Sequence, residues 1–322
     1  MKVLPFPLTL SALALSALGL RPLSLNPLNP GAIRRLSGLH DLRAPATLVR
    51  ATALELAILA GHVLLYPTGL TAERPTGRER APRAREPQPE ETDAAAGPSA
   101  GSTTGLPSAG AADHPPVVML HGFVDNRSVF VLLRRSLARH GWRDLECLNY
   151  SPLTCDVRTA AELLGRHIAQ VCARTGRNEV DIVGHSLGGL IARYYIQCLG
   201  GDLRVRTLVT LGTPHSGTTA APLASAHPVV RQMRPGSALI EELRGPAPGC
   251  RTRFVSFWSD LDQWMVPIET ARLDHPDLIT ENVQVSGIGH LALPVHPAVA
   301  AGIRQALEKN ESTGTPGAVS VA

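Results

Sequence analysis

The chain has 322 residues, of which 44% are apolar, and this suffices for the core of one large domain or two small ones. Its formal net charge of +4 comes from basic residues scattered along the sequence. Because nucleic-acid-binding proteins carry a basic stripe interleaved with aromatic residues, and this chain has none, we expect no nucleic-acid partner.

Residues 1–20 combine an early cation, Lys2, with an apolar run over 8–18. This order is typical of a secretory signal peptide, although the nearest small-x-small cleavage motif, Ala17-Leu18-Gly19, is poor. The alternative is an uncleaved apolar N-terminus. The pattern favours export, and we predict a secreted or membrane-associated protein outside the cytoplasm.

A second apolar stretch, residues 46–66, lies within an N-terminal segment spanning 21–70. It contains no proline, and its length is close to the ~20 residues that a membrane-spanning helix needs. Glu55 stands near its middle, where a carboxylate is costly in lipid. The sequence therefore favours a helix that packs on the protein or lies at a membrane surface over a helix that spans the membrane.

Residues 71–113 are rich in Pro, Ala and Gly. Such a stretch cannot bury enough apolar surface to offset the entropy lost on ordering, so we predict a disordered linker. A polar tail over 310–322 is also predicted to be disordered.

From residue 114 to residue 309, apolar strand-like runs alternate with amphipathic helical runs. This alternation predicts an α/β domain with a mostly parallel, doubly wound sheet and helices on both faces. The predicted strands are 117–120, 145–148, 180–183, 205–211, 254–258 and 283–286. The predicted helices are 128–140, 157–174, 187–199 and 297–309.

The sequence Gly184-x-Ser186-x-Gly188 lies directly between a predicted buried strand and a predicted helix. That context is typical of a nucleophile elbow. Because the two glycines lack a Cβ, strand and helix can close around a strained Ser186. Its hydroxyl then projects at the positive N-terminal end of the helix.

A serine hydroxyl is a weak nucleophile at neutral pH and needs a neighbouring base. After such an elbow, the acid and then the histidine follow later strands of the sheet. His290 follows the strand 283–286 and is the predicted base. Asp262 and Asp260 both follow the strand 254–258. We favour Asp262 as the acid because it leads into apolar residues that would shield it, and we assign Asp260 to loop capping.

Two backbone N–H groups are the predicted oxyanion hole. Leu187 directly follows the nucleophile, and Phe123 follows Gly122 in the loop after the first strand of the domain, which is where such donors lie. Two other histidines receive different roles. We expect His215 to be a loop residue bonded to backbone, and His296 to be a surface or helix-capping residue.

Five motifs together resemble the bacterial triacylglycerol lipases and esterases of the α/β-hydrolase superfamily, over about residues 115–309. They are Leu120-His121-Gly122-Phe123, Gly184-His185-Ser186-Leu187-Gly188-Gly189, Leu211-Gly212-Thr213-Pro214-His215-Ser216-Gly217-Thr218, Ser256-Phe257-Trp258-Ser259-Asp260-Leu261-Asp262 and Gly287-Ile288-Gly289-His290. The resemblance implies an α/β-hydrolase fold, the acid at the place of Asp262, and hydrolysis of carboxylic esters such as acyl glycerides. The expected partner is a lipid or small-ester substrate, with a membrane surface as a further partner.

The segment 220–249 is the longest connection in the domain, and its apolar Ala238-Leu239-Ile240 suggests a small lid or cap over an acyl pocket, if a lid is present at all. We expect no cofactor and no catalytic metal because no His, Cys and Asp cluster has metal-ligand spacing; a structural calcium stays open. Two alternative functions also stay open. One is acyl transfer by the same triad, and the other is a catalytically silent, membrane-tethered binding module.

Overall fold

A computed structural model describes residues 53, 55–58, 60–61, 114–150, 156–220, 227–308 and 320–321. The predicted signal peptide 1–20 and the predicted linker 71–113 lie outside the described residues. The same holds for most of the segment 21–70 and most of the tail 310–322. Of the predicted helix 46–66, the seven described residues are helical: Ala53, Glu55, Leu56, Ala57, Ile58, Ala60 and Gly61.

The described strands form one parallel sheet in the order β2-β1-β3-β4-β5-β6-β7. The strands are β1 Val117–Leu120, β2 Leu145–Leu148, β3 Val180–His185, β4 Val205–Leu211, β5 Arg253–Ser259, β6 Ile279–Val285 and β7 Ser320–Val321. Because β1 lies between β2 and β3, the strand order reverses there. In such sheets a crevice opens at the carboxyl ends of the strands on either side of the reversal.

Within the described residues from 114 to 308, six α-helices cover the sheet. They are α1 Val131–Arg139, α2 Val157–Thr175, α3 Leu187–Cys198, α4 Pro228–Gln232, α5 Ala238–Arg244 and α6 Pro297–Glu308. Short 3₁₀ turns cover Arg127–Phe130, Gly201–Leu203 and Ile268–Ala271. The predicted helix 128–140 is thus divided into a 3₁₀ turn and α1, while the other predicted helices match the structure to within a residue or two.

The sheet separates two apolar cores because successive strand residues point to opposite faces. Val118 and Leu120 pack with helices α2, α3, α4 and α5, whereas Val117 and Met119 pack with α1 and α6. This arrangement confirms the predicted α/β class, with helices on both faces of a wound sheet.

Ion pairs tie the amino-terminal ends of the strands to the end of α6. Arg206 on β4 donates from Nε and Nη2 to the two carboxylate oxygens of Asp181 on β3, at 3.0 and 2.6 Å. Its Nη2 also donates to the Leu307 carbonyl at 2.7 Å. Arg253 likewise joins Glu281 to the Ala306 carbonyl, at 3.0 and 2.7 Å. These arginines satisfy carbonyls that the last turn of a helix leaves without partners.

Three expectations differ from the structure. The apolar Ala238-Leu239-Ile240 does not form a lid, because it belongs to α5, whose Leu239, Ile240 and Leu243 are buried in the core beside α3. The strand β6 begins at Ile279 rather than at residue 283. Ser320 and Val321, within the predicted disordered tail, pair with the end of β6.

Within the described part of the chain, every helix is too short or too polar to cross a bilayer.

Candidate active site

Ser186 occupies a strained turn between β3 and α3. Its backbone has φ 52° and ψ −117°, and it is the one described non-glycine residue with a positive φ. That region costs an ordinary residue about 1–3 kcal/mol and persists only where the surroundings impose it. A Cβ on Gly184 would lie 2.6 Å from Gly189 Cα, so only glycine lets the strand and helix close. The turn has the geometry that the sequence predicts for a nucleophile elbow.

The imidazole of His290 is hydrogen-bonded to Asp262. His290 Nδ1 donates to Asp262 Oδ2 at 2.8 Å, and both side chains are buried. Asp262 follows β5 and His290 follows β6, two neighbouring strands of the sheet. Asp260 is exposed and instead accepts a hydrogen bond from the Gly287 N–H at 2.9 Å. Of the two aspartates left open by the sequence, the structure brings Asp262 to His290.

Trp264 packs against this pair. Its backbone N–H donates to Asp262 Oδ1 at 3.0 Å, and its indole stacks on the His290 ring with centroids 5.4 Å apart. The indole and the N–H fix both the carboxylate and the imidazole. The apolar sequence after Asp262 therefore shields its carboxylate, as the sequence indicates.

Opposing effects act on the charge of His290. Burial disfavours the imidazolium, but the Asp262 carboxylate and its hydrogen bond outweigh burial, with help from Glu55 and Asp125, and the pKa of His290 is raised above its ordinary value. An imidazole in this setting accepts a proton more readily than one buried alone.

Ser186 and His290 line the same cleft, which has a volume of about 580 Å³ and is partly open to solvent. Its other lining side chains are mostly apolar and include Val230, Met233, Trp264 and Met265. Val230 and Met233 come from α4 and the residue after it, and they are buried. The segment 227–233 thus forms a packed wall of the cleft.

The loop after β1 packs directly on the elbow. A Cβ on Gly122 would lie 3.3 Å from Ser186 Cβ, and Phe123 lines the cleft. His121 holds this loop: its Nδ1 donates to the Gly122 carbonyl at 2.8 Å, and its ring stacks on Tyr150 with centroids 4.3 Å apart. Phe123 is thereby placed beside Ser186. Leu187, the other residue predicted to supply an oxyanion donor, is the first residue of α3.

The sequence reasoning missed a second buried pair, Asp125 and His185. His185 Nδ1 lies 3.0 Å from Asp125 Oδ2, and His185 Nε2 donates to the His290 carbonyl at 3.2 Å. Burial lowers the pKa of His185 in spite of the carboxylate. A signal was present, because Asp125 lies in the loop that carries Phe123 and His185 directly precedes Ser186.

Glu55 was also missed as a neighbour of the site. Its carboxylate accepts hydrogen bonds from the N–H groups of Leu291 and Ala292, at 3.1 and 3.0 Å. The two residues directly follow His290 along the chain. The sequence marks Glu55 only as unsuited to lipid and contains no signal linking it to a loop more than 200 residues away.

The two histidines that the sequence assigned to other roles, His215 and His296, make none of these contacts. His215 is buried, with Nε2 3.0 Å from Thr210 Oγ1, and its carbonyl accepts from Arg193 at 3.0 Å. His215 is therefore a structural residue. Its ring contacts side chains, whereas the sequence predicted a hydrogen bond to the backbone. His296 Nδ1 accepts from the Ala298 N–H at the start of α6, which confirms its predicted capping role.

Sequence comparisons relate part of the α/β domain to known hydrolases. The family described as palmitoyl protein thioesterase matches residues 116–248. A triacylglycerol lipase of Pseudarthrobacter phenanthrenivorans is 32% identical over 119 residues, which cover 34% of this chain and 36% of the relative. A triacylglycerol lipase of Burkholderia plantarii is also 32% identical over 119 residues, covering 34% of this chain and 32% of that protein. The chain thus spans about a third of the length of these curated relatives.

Solved structures show the same fold. The mature form of Bacillus licheniformis lipase BlEst2 superposes with a TM-score of 0.52 at 16% identity, covering 60% of this chain and 92% of that one. Aspergillus fumigatus lipase B gives a TM-score of 0.55 at 18% identity, covering 64% and 56%. These comparisons confirm the resemblance to bacterial lipases and esterases predicted from the sequence, and the superpositions show that the described domain has the α/β-hydrolase fold.

Proposed function

We propose that this protein is a serine hydrolase that cleaves carboxylic esters through an acyl-enzyme. The observation that carries the proposal is the Asp262–His290 hydrogen bond at the carboxyl ends of two neighbouring strands, in the same cleft as the strained Ser186. An acid, a histidine and a serine from three separate strand ends make up a triad, which is recognised by its geometry. The relatedness to lipases supports the same assignment.

In the first step, His290 takes the proton of the Ser186 hydroxyl as the oxygen attacks the ester carbonyl. Asp262 holds the imidazole in the tautomer with hydrogen on Nδ1, which leaves Nε2 free of hydrogen and able to act as the base. It also stabilises the imidazolium that forms. The raised pKa of His290 favours this proton transfer.

The tetrahedral intermediate carries a negative oxygen, and we assign its stabilisation to the backbone N–H groups of Phe123 and Leu187. The contact between Gly122 and the elbow supports this assignment, because it brings the two loops together. One such donor is worth about 2.7–4 kcal/mol of transition-state stabilisation. His290 then protonates the departing alcohol, and water releases the acyl group by the reverse sequence.

We propose an acyl chain as the group held by the apolar wall of the cleft. Val230, Met233 and Met265 present apolar surface beside Ser186, and Trp264 covers the imidazole. Burial of each methylene contributes about 0.8 kcal/mol, so such a wall favours fatty acyl groups over short polar ones. Acyl glycerides, which fit this wall, are the proposed natural substrate class.

We place this activity outside the cytoplasm, either secreted or associated with a membrane. The basis is the cation and apolar run of residues 1–20, which are typical of an export signal. Fractionation of cells that produce the full chain tests this placement.

Thioester hydrolysis is the second candidate, and the match to the palmitoyl protein thioesterase family favours it. The same nucleophile, base and oxyanion donors serve both reactions, since the tetrahedral intermediates differ only in the leaving group. Matched oxygen esters and thioesters of one fatty acid separate the two candidates by their kcat/KM ratio.

The test is a chain-length series of nitrophenyl esters on the wild type and on Ser186→Ala, together with labelling by a fluorophosphonate probe. We expect Ser186→Ala to lose about 10⁶-fold in kcat, because the residues of a triad act as a unit. We expect the probe to label the wild type at Ser186 and the alanine variant not at all.

Ser136→Ala is the matched control, since Ser136 lies on α1 outside the cleft and bonds Arg304. This variant should keep the wild-type rate and the labelling. An alanine variant at position 186 that retains its rate would overturn the mechanism.

A further inference from the structure

One face of the N-terminal helical segment, here the described helical residues between Ala53 and Gly61, contacts the catalytic domain. Glu55, Ile58 and Gly61 are partly buried, whereas Ala53, Leu56, Ala57 and Ala60 are exposed. A spacing of three residues places the partly buried positions on one side of a helix. Ile58 packs against the apolar core that lies between the sheet and helices α1 and α6.

The contact at Glu55 is specific. Its Oε2 accepts from the Leu291 N–H at 3.1 Å, and its Oε1 accepts from the Ala292 N–H at 3.0 Å. Hydrogen bonds of N–H groups to a carboxylate are about twice as strong as those between neutral groups. Two of them from one side chain fix the backbone directly after His290.

Gly289 lies under the same side chain. A Cβ at this position would lie 2.5 Å from Glu55 Cδ, closer than two non-bonded carbons approach. The Glu55 carboxyl group thus packs in the space that a side chain at position 289 would occupy. Contacts on both sides of His290, at 289 and at 291–292, involve this one glutamate.

Glu55 completes a set of groups that hold His290. Asp262 binds the imidazole, His185 donates to the His290 carbonyl, and Glu55 binds the two following N–H groups. The titratable groups that face the imidazole are therefore the carboxylates of Asp262, Glu55 and Asp125 and the ring of His185. Three carboxylates near one imidazole favour its charged form.

We propose that Glu55 is a positioning residue for His290, and that the N-terminal helical segment is a docked part of the catalytic unit. This proposal rests on the hydrolase function proposed above. Glu55 aims the imidazole by fixing the backbone after it, and its charge stabilises the imidazolium formed during the reaction. Burial raises the pKa of Glu55, against the opposing effect of the two N–H donors and His290, so its own protonation adds to the pH dependence.

Glu55→Gln in the full chain tests the proposal. Glutamine keeps one carbonyl acceptor but turns an NH₂ group toward the other N–H, so one hydrogen bond and the charge are lost. We expect kcat to fall about tenfold, the effect of losing one charged hydrogen bond. The acid limb of the kcat/KM–pH profile should move to lower pH, because removing a carboxylate lowers the pKa of His290.

Two further variants make the result specific. Glu55→Asp keeps the charge but is one methylene shorter, so its acid limb should stay near that of the wild type while kcat falls by less than in Glu55→Gln. Leu56 lies on the exposed face of the same helical segment, with 47% of the residue exposed. Leu56→Gln should therefore leave both kcat and the acid limb unchanged.

Hydrogen exchange gives a readout that needs no turnover. In the Ser186→Ala background, Glu55→Gln should speed exchange at the amides of Leu291 and Ala292 and leave strands β3 to β5 unchanged. An unchanged pH profile with unchanged exchange at these amides overturns the proposal. A fall in activity with faster exchange throughout the domain and no shift of the acid limb also overturns it, since that pattern marks a merely structural role. If the wild type hydrolyses no ester, the function fails while the exchange result still decides the positioning.

Discussion

Each end of the sheet has a buried carboxylate paired with a basic side chain, and the two pairs differ in how their basic partner titrates. At the carboxyl end, the fully buried carboxylate of Asp262 is paired with His290; at the amino end, the fully buried carboxylate of Asp181 is paired with Arg206. A guanidinium keeps its charge at any pH that a folded protein meets, whereas an imidazole gains and loses a proton near neutrality. The guanidinium of one pair keeps its charge, whereas the imidazole of the other can take up and release a proton.

The surroundings of each pair agree with this difference. Arg206 also binds the Leu307 carbonyl, so the amino-end pair ties β3, β4 and α6 together. His290 instead borders an open cleft beside Ser186. A buried carboxylate is therefore a guide to function only together with the titration behaviour of its partner and the space around that partner.

Asp262→Asn should give the largest effect. The amide does not hold the imidazole in the productive tautomer, and we expect kcat to fall by about 10⁴-fold. The melting temperature should change little, which kcat and a thermal unfolding curve measured on one sample will check. A loss of less than tenfold would mean that the Asp262 carboxylate does not orient the base.

Asp181→Asn should lower stability and leave activity unchanged, the reverse of Asp262→Asn. It removes the anion that Arg206 binds through Nε and Nη2. Because the Arg206 side chain is 21% exposed, we expect a loss of about 2–3 kcal/mol in the free energy of unfolding, below the range for fully buried pairs. Activity per folded molecule should stay within about twofold of the wild type, since such distant sites act independently. Urea unfolding and active-site titration measure the two quantities. A variant with full stability and lost activity would remove the contrast between the two ends.

The smallest effect is a shift in pH dependence. In the proposed mechanism only the neutral imidazole of His290 accepts the Ser186 proton, so we expect kcat/KM to fall about tenfold per pH unit below the pKa of His290. Because the carboxylates raise this pKa, the fall should begin at a higher pH than an ordinary histidine would set. A rate profile between about pH 5 and 9 checks the position of this limb. Asp181→Asn is the control that leaves the limb in place, and a limb at or below the ordinary histidine range would contradict the assignment.

Local patterns predicted much of the fold and of the candidate site. The run Val180–Val183 followed by Gly184-x-Ser186-x-Gly188 predicted a strand, a strained turn and a helix, and the structure has all three. Asp262 was distinguishable from Asp260 because the apolar residues after it provide shielding. These inferences depend on neighbours in the sequence, which is where residue patterns carry information.

Features that depend on distant residues could not be predicted in this way. The strand β6 begins with Ile279-Thr280-Glu281, and its polar residues do not match the pattern of a buried strand. Glu281 is nevertheless part of the strand, because it is paired with Arg253 of the adjacent strand. The sequence placed Leu239 and Ile240 in a lid, because only the tertiary structure shows that these residues are buried beside α3. The contact of Glu55 with the loop after His290 is of the same kind.

Gly188 of the elbow meets the end of β1 through main-chain atoms. A Cβ on Gly188 would overlap the Leu120 carbonyl, so no side chain separates the two segments. The segments that carry the proposed oxyanion donors, the N–H groups of Phe123 and Leu187, meet at this contact, so main-chain atoms set their separation. We therefore expect substitutions in the apolar wall of the cleft to change which esters fit and to leave this separation unchanged.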